Sequence, residues 1–152
     1  MIMKMNKKGV TLIELIIVFA IIAIGAVLAV PNFGPWLANY RLRTATRDIA
    51  SNLRTAQMRA VSNNVNYQVL FDGVARTYIL RRDSGGVWFN DGATQTLPTG
   101  IIMNMDVGNQ IQFNPNSSTT PGVTVSITLQ NTKGTNRTIR VLASTGRITI
   151  LQ

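Results

Sequence analysis

The chain is 152 residues long and carries 15 Lys and Arg against 6 Asp and Glu, a formal charge of +9. It contains no cysteine and no histidine, which excludes a disulfide framework, thiolate metal sites and every Ser-His or Cys-His catalytic arrangement. Beyond Lys8 the basic residues are eleven arginines and Lys133, against six acids, a balance that fits either phosphate-bearing partners or a solvated basic surface.

The first element is an apolar run, residues 10–30, whose only polar side chains are Thr11 and Glu14. Its length reaches the ~20 residues needed to cross the hydrocarbon core as a helix. Lys4, Lys7 and Lys8 precede it, which keeps that end cytoplasmic and sends the rest of the chain outward. Three readings compete. A cleaved secretory signal would need a shorter apolar region and a better small-x-small site than Ala23 and Gly25 provide. A plain anchor leaves Glu14 unexplained, since a carboxylate in a membrane helix costs ~2.5–3.5 kcal/mol and wants a partner. The third reading supplies one: a cut between Gly9 and Val10 creates an ammonium at Val10, cationic near neutral pH. Glu14 then lies about 6 Å along the axis from it. In a stack of axially displaced identical helices, the amine of one chain meets the carboxylate of the next, a register device.

The stretch "KKGVTLIELIIVFAIIAIGAVLAVPNF" resembles the N-terminus of type IV pilins and type II secretion pseudopilins. The resemblance implies cleavage by a prepilin peptidase after Gly9, N-methylation of Val10, and a filament-assembly role for Glu14. The family prefers Phe or Met after the cut, and Val10 departs from that. Pro31 matches a proline common at the end of the apolar run.

Pro31 and Pro35, with Gly34 between them, remove backbone donors one turn apart, which predicts a kink or an unwound stretch. A second helical segment follows. Leu42, Ala45, Ile49, Leu53, Ala56 and Ala60 recur at spacings of three and four, one narrow apolar stripe. Arg43, Arg47 and Arg54 share a flank of that helix, and a stop is expected near Ser62-Asn63-Asn64.

The period then changes to two. Val65, Tyr67, Val69 and Phe71 alternate, Asp72-Gly73 signals a hairpin, and the partner strand runs to Leu80. Asp83-Ser84-Gly85-Gly86 is a second turn, ahead of Trp88 and Phe89, which are expected in the core. Short strands are expected at residues 101–103 and 111–113, and a loop at residues 114–122. Val123, Val125, Ile127 and Leu129 alternate with polar residues. Two last strands, residues 137–142 and 147–151, are joined across Ser144-Thr145-Gly146.

The layout is α+β: a long N-terminal helix, membrane-spanning in its first half and amphipathic in its second, packed on an antiparallel sheet of six or seven strands. The expected divisions are a cleaved leader (1–9), a membrane and filament-core helix (10–30), its amphipathic continuation (31–64) and a β-rich periplasmic domain (65–152). This layout is pilin-like, and "RTATRDIASNLRTAQMRAVSNNVNYQVLF", "IQFNPNSSTTPGVTVSITL" and "RTIRVLASTGRITI" resemble the GspH/FimT-type minor pilins and pseudopilins.

No catalytic constellation is present. Asp72, Asp83 and Asp91 sit beside glycine or serine, where turn chemistry explains them. A calcium site around residues 83–91 lacks a second close acid at ligand spacing, and no cofactor is implied.

The resemblance implies a structural role as a minor pilin or pseudopilin in the priming or tip region of a type IV pilus or type II secretion pseudopilus. Its partners would be other pilin subunits, the prepilin peptidase and methyltransferase, and inner-membrane lipid. Some FimT-like minor pilins bind DNA through a Gly-Arg-x-Arg motif. Here Gly146 and Arg147 match its first half, Thr149 replaces the second arginine, and Arg137 and Arg140 are candidate substitutes, joined by Arg43, Arg47 and Arg54. A major pilin is a further alternative, argued against by the missing C-terminal cysteine pair.

Overall fold

In the computed structural model, which describes residues 9–29 and 33–151, the chain forms two helices and ten strands. It divides into two units, Met1–Trp36 and Leu37–Gln152. The leader up to Lys8 and the expected break at Pro31 lie outside the described residues.

In the first unit, helix α1 covers Leu12–Ala29. Its 18 residues rise about 27 Å. Among the described residues no helix is long and apolar enough to cross a membrane. The apolar run of the sequence is longer than α1: Val10 and Thr11 precede the helix, and Val30 lies outside the described residues.

Helix α2 covers Phe33–Asn63, and the division into units falls within it, after Trp36. Its buried side chains are Leu42, Ala45, Thr46, Ile49, Ala50, Leu53, Ala56 and Ala60, the whole expected stripe with two additions. Thr46 is polar, but its hydroxyl donates to the Leu42 carbonyl at 2.7 Å, so its burial leaves no donor orphaned. The helix ends where Asn64 turns to a positive φ of 54°, a left-handed conformation that asparagine tolerates as a helix stop.

The strands form two antiparallel sheets, in the orders β3-β2-β1-β6-β7 (with β4 also on β2) and β10-β9-β8-β5. This corrects the single sheet expected. In the first sheet β1 (Tyr67–Asp72) pairs with β2 (Thr77–Ser84) and with β6 (Gln110–Phe113). Strand β2 also pairs with β3 (Val87–Asn90) and β4 (Gln95–Thr96), and β6 pairs with β7 (Thr119–Thr120). In the second, β8 (Val125–Asn131) lies between β5 (Ile101–Met105) and β9 (Asn136–Val141), with β10 (Ile148–Leu151) on the far side of β9. Two residues are too few to display alternation, which is why β4 and β7 leave no sequence signal.

One core joins the α2 stripe to alternate residues of both sheets, among them Val69, Ile111, Phe113, Ile127, Leu129 and Ile139, each fully buried. Truncating any of the larger ones would cost about 2–5 kcal/mol. Trp88 and Phe89 depart from expectation. Strand β3 is the sheet edge, Trp88 is half-buried and Phe89 is 53% exposed. Val123 likewise lies before β8 and is exposed.

The turns follow from their residues. The Asp72 carboxylate accepts the N–H groups of Val74 and Ala75, which bends the β1–β2 hairpin as an Asx turn. Gly85 and Gly86 have φ of 66° and 87°, the two-residue connection with both central residues left-handed, and Asp83 accepts the Gly86 N–H at 2.8 Å.

Candidate assembly site and basic surface

Gly9 and Val10 are exposed and precede α1. A Cβ built at Gly9 would meet nothing within 4 Å, so packing within this chain does not demand glycine there. The start of α1 is a reciprocal cap. The Glu14 N–H donates to the Thr11 hydroxyl at 3.3 Å, and the Glu14 carboxylate accepts the Thr11 N–H at 3.4 Å. Thr11 also accepts the first helical bond, from Leu15. Thr-Leu-Ile-Glu is therefore a capping box, with the negative charge in the first turn where the helix dipole favours it. The signal was present in the sequence as Thr-x-x-Glu. Beyond it every described side chain of α1 is exposed, including Leu12, Ile13, Phe19 and Ile24 at 61–78%. A helix that is apolar all round is built to be enclosed by lipid or by other helices.

Pro35 occupies the third position of α2. A first-turn residue has no intrahelical acceptor for its N–H, so proline is at home there. Pro35 marks a helix start.

The candidate nucleic-acid residues do not form one face. On β9, Arg137 stands opposite Leu129 and Arg140 opposite Ser126 and Thr149. Three residues apart on a strand, they project from opposite faces of the sheet. Arg147 is exposed just before β10. Gly146 is buried with φ of 60°. A Cβ there would lie 2.5 Å from the Ser117 carbonyl oxygen and 2.7 Å from Gln57 Nε2, while Gln57 donates to the Thr145 carbonyl at 3.0 Å. Packing of the β9–β10 turn against α2 and the 114–122 loop accounts for glycine at this position. On α2, Arg43, Arg47 and Arg54 are all exposed and fall within about 40° of one another around the helix.

One cluster that the sequence reading missed lies between α2 and the end of β3. Arg59 pairs with Asp91 at 2.8 Å, and Asn63 donates to the Tyr67 hydroxyl at 2.9 Å. Burial pushes the Asp91 carboxyl up. Hydrogen bonds from Tyr67 and Arg59, with the charges of Arg59 and Arg82, outweigh that and hold it below the usual carboxylate range. Asp91 is thus an ion-pair partner as well as a turn residue.

Residues 4–30 match the family described as the prokaryotic N-terminal methylation motif. The fold is similar to the crystal structure of the type IV minor pilin FimU of Pseudomonas aeruginosa, with a TM-score of 0.63 and 15% identity over 78% of this chain and 93% of that one. It is also similar to the minor pseudopilin EpsH from the type II secretion system of Vibrio cholerae, with a TM-score of 0.64 and 11% identity over 73% of this chain and 96% of that one. A comparison with curated protein sequences gives no match. Residues 4–30 thus carry the N-terminal methylation motif, and the chain shares its fold with FimU and EpsH.

Proposed function

We propose that this chain is a minor pilin or pseudopilin, a structural subunit rather than an enzyme, working in the priming or tip region of a type IV pilus or a type II secretion pseudopilus. The observation that carries the reading is the methylation motif at residues 4–30, running into a helix whose described apolar side chains are all exposed, ahead of a fold like those of FimU and EpsH. The precursor inserts once into the inner membrane through residues 10–30, with its β-rich domain in the periplasm. Prepilin peptidase cuts after Gly9, Val10 is methylated, and the Val10 ammonium meets the Glu14 carboxylate of a neighbouring subunit. In the single chain the capping box supplies that carboxylate with a donor, the Thr11 N–H. DNA binding draws less support, because Arg137 and Arg140 project from opposite faces of the sheet.

Intact-mass measurement on protein from its native membrane tests the reading. The expected chain begins at Val10 and carries one added methyl group. An uncut N-terminus overturns the proposal.

A further inference from the structure

Helix α2 carries five arginines, and the fold treats them in two ways. Arg41 donates to the Thr99 carbonyl at 3.4 Å, and Arg59 is paired with Asp91. Arg43, Arg47 and Arg54 are exposed, with no hydrogen bond or ion pair to any described residue. They form one row about 16 Å long. Along the same face the row is flanked by Tyr40 on one side and by Met58 and Val61 on the other, exposed at 56%, 63% and 49%. Arginine, tyrosine and methionine on one surface are the residue types enriched at protein–protein interfaces.

The charge of the domain says what covers this face. From residue 33 onward there are 12 basic and 5 acidic residues. Four of the five acids are engaged within the fold: Asp72 and Asp83 by turn N–H groups, Asp91 by Arg59, and Asp106 by the Ser126 N–H. The Asp48 carboxylate alone among them accepts no hydrogen bond from a described residue, the Asn52 amide donating to its backbone carbonyl instead. The exposed acids of a second copy, Asp48, Asp72 and Asp106, are dispersed in sequence and outnumbered by its basic residues, so two such domains side by side repel on balance.

We infer that the row Arg43, Arg47 and Arg54 is a docking face for the acidic surface of a different pilin-like subunit, so that this chain is placed in the filament by unlike neighbours. The inference rests on the assembly role proposed above. It commits to a protein partner because the apolar flanks suit one, whereas nucleic-acid interfaces are more polar and more uniformly basic.

The test uses the full-length chain in its native membrane, with all three arginines changed together to Glu or to Lys. A photocrosslinker at Ser51, an exposed position on the same side of α2, reports the neighbour. The Glu variant should enter filaments about tenfold less than wild type. The Lys variant should enter normally, since charge is what the partner reads. Adducts should form with a different chain that carries its own N-terminal methylation motif, and should be lost in the Glu variant. Normal incorporation of the Glu variant overturns the inference, as does a Lys variant equally impaired. Adducts confined to copies of this chain, to phospholipid or to DNA also overturn it. Cleavage at Gly9 in all three forms separates these outcomes from failure of the pilin reading, which would show as an uncut wild-type chain.

Discussion

Asn131, at the end of β8, donates to the Asn39 side-chain oxygen on α2 at 2.9 Å while its own oxygen accepts the N–H groups of Lys133 and Thr135. One buried amide thus shapes the β8–β9 turn and ties it to the helix. Asn131→Ala should lower unfolding stability by about 2 kcal/mol, the loss of several hydrogen bonds offset in part by hydration of the freed turn amides. A denaturant midpoint unchanged from wild type would refute the role.

Gly146→Ala should be more damaging. The new methyl group meets the Ser117 carbonyl and the Gln57 amide at impossible distances, on a backbone with φ of 60°. Strain and overpacking together suggest a loss on the order of 2–4 kcal/mol. Arg147→Ala, one residue on and exposed, should be nearly silent. Equal stability of the two variants would show that the packing account of Gly146 is wrong.

Alkaline pH should destabilise the domain through Tyr78. Burial, and then the charge of Asp48, push its hydroxyl up to about 12. The folded state therefore holds the proton more tightly than the unfolded chain does. The associated stability is complete below the unfolded value near 10 and is lost as pH rises toward 12, up to about 2.5 kcal/mol. Tyr78→Phe should flatten that part of the stability–pH curve. A mutant curve as steep as wild type would assign the effect elsewhere.

Glu14→Ala should leave membrane insertion intact or easier, since it removes a charge from an apolar segment. It should also cost the α1 cap about 1 kcal/mol and reduce filament incorporation roughly tenfold. Quantitative blotting of membrane and sheared filament fractions measures both. Wild-type filament levels would remove Glu14 from assembly.

Sequence patterns disclosed what depends on near neighbours. The α2 stripe was readable because Leu42 through Ala60 keep helical spacing, and the β2–β3 turn because two adjacent glycines permit left-handed φ. Partner choice between strands was not readable. Nothing local to β5 says that Ile101 stands opposite Asn131 on β8, so two sheets looked like one. Phe89 was expected inside because aromatics usually are. Its exposure follows from β3 being an edge, a property of the whole sheet. The arginines failed for a related reason: Arg137 and Arg140 are close in sequence, but an odd separation on a strand sets them on opposite faces. At the N-terminus the motif residues are legible, and Thr-x-x-Glu writes the capping role of Thr11 beside them, a local pattern independent of any pairing of Glu14 with a neighbour.

The side-chain ties along α2 have a mechanical consequence. Asn39 holds the helix to β8, Gln57 holds it to the β9–β10 turn, and Arg59 holds it to the end of β3. A pull along the helix axis therefore loads these attachments together, in shear, and engages both sheets at once. A subunit fastened in this way resists tension as a block, because no single strand can be peeled away before the others bear the strain.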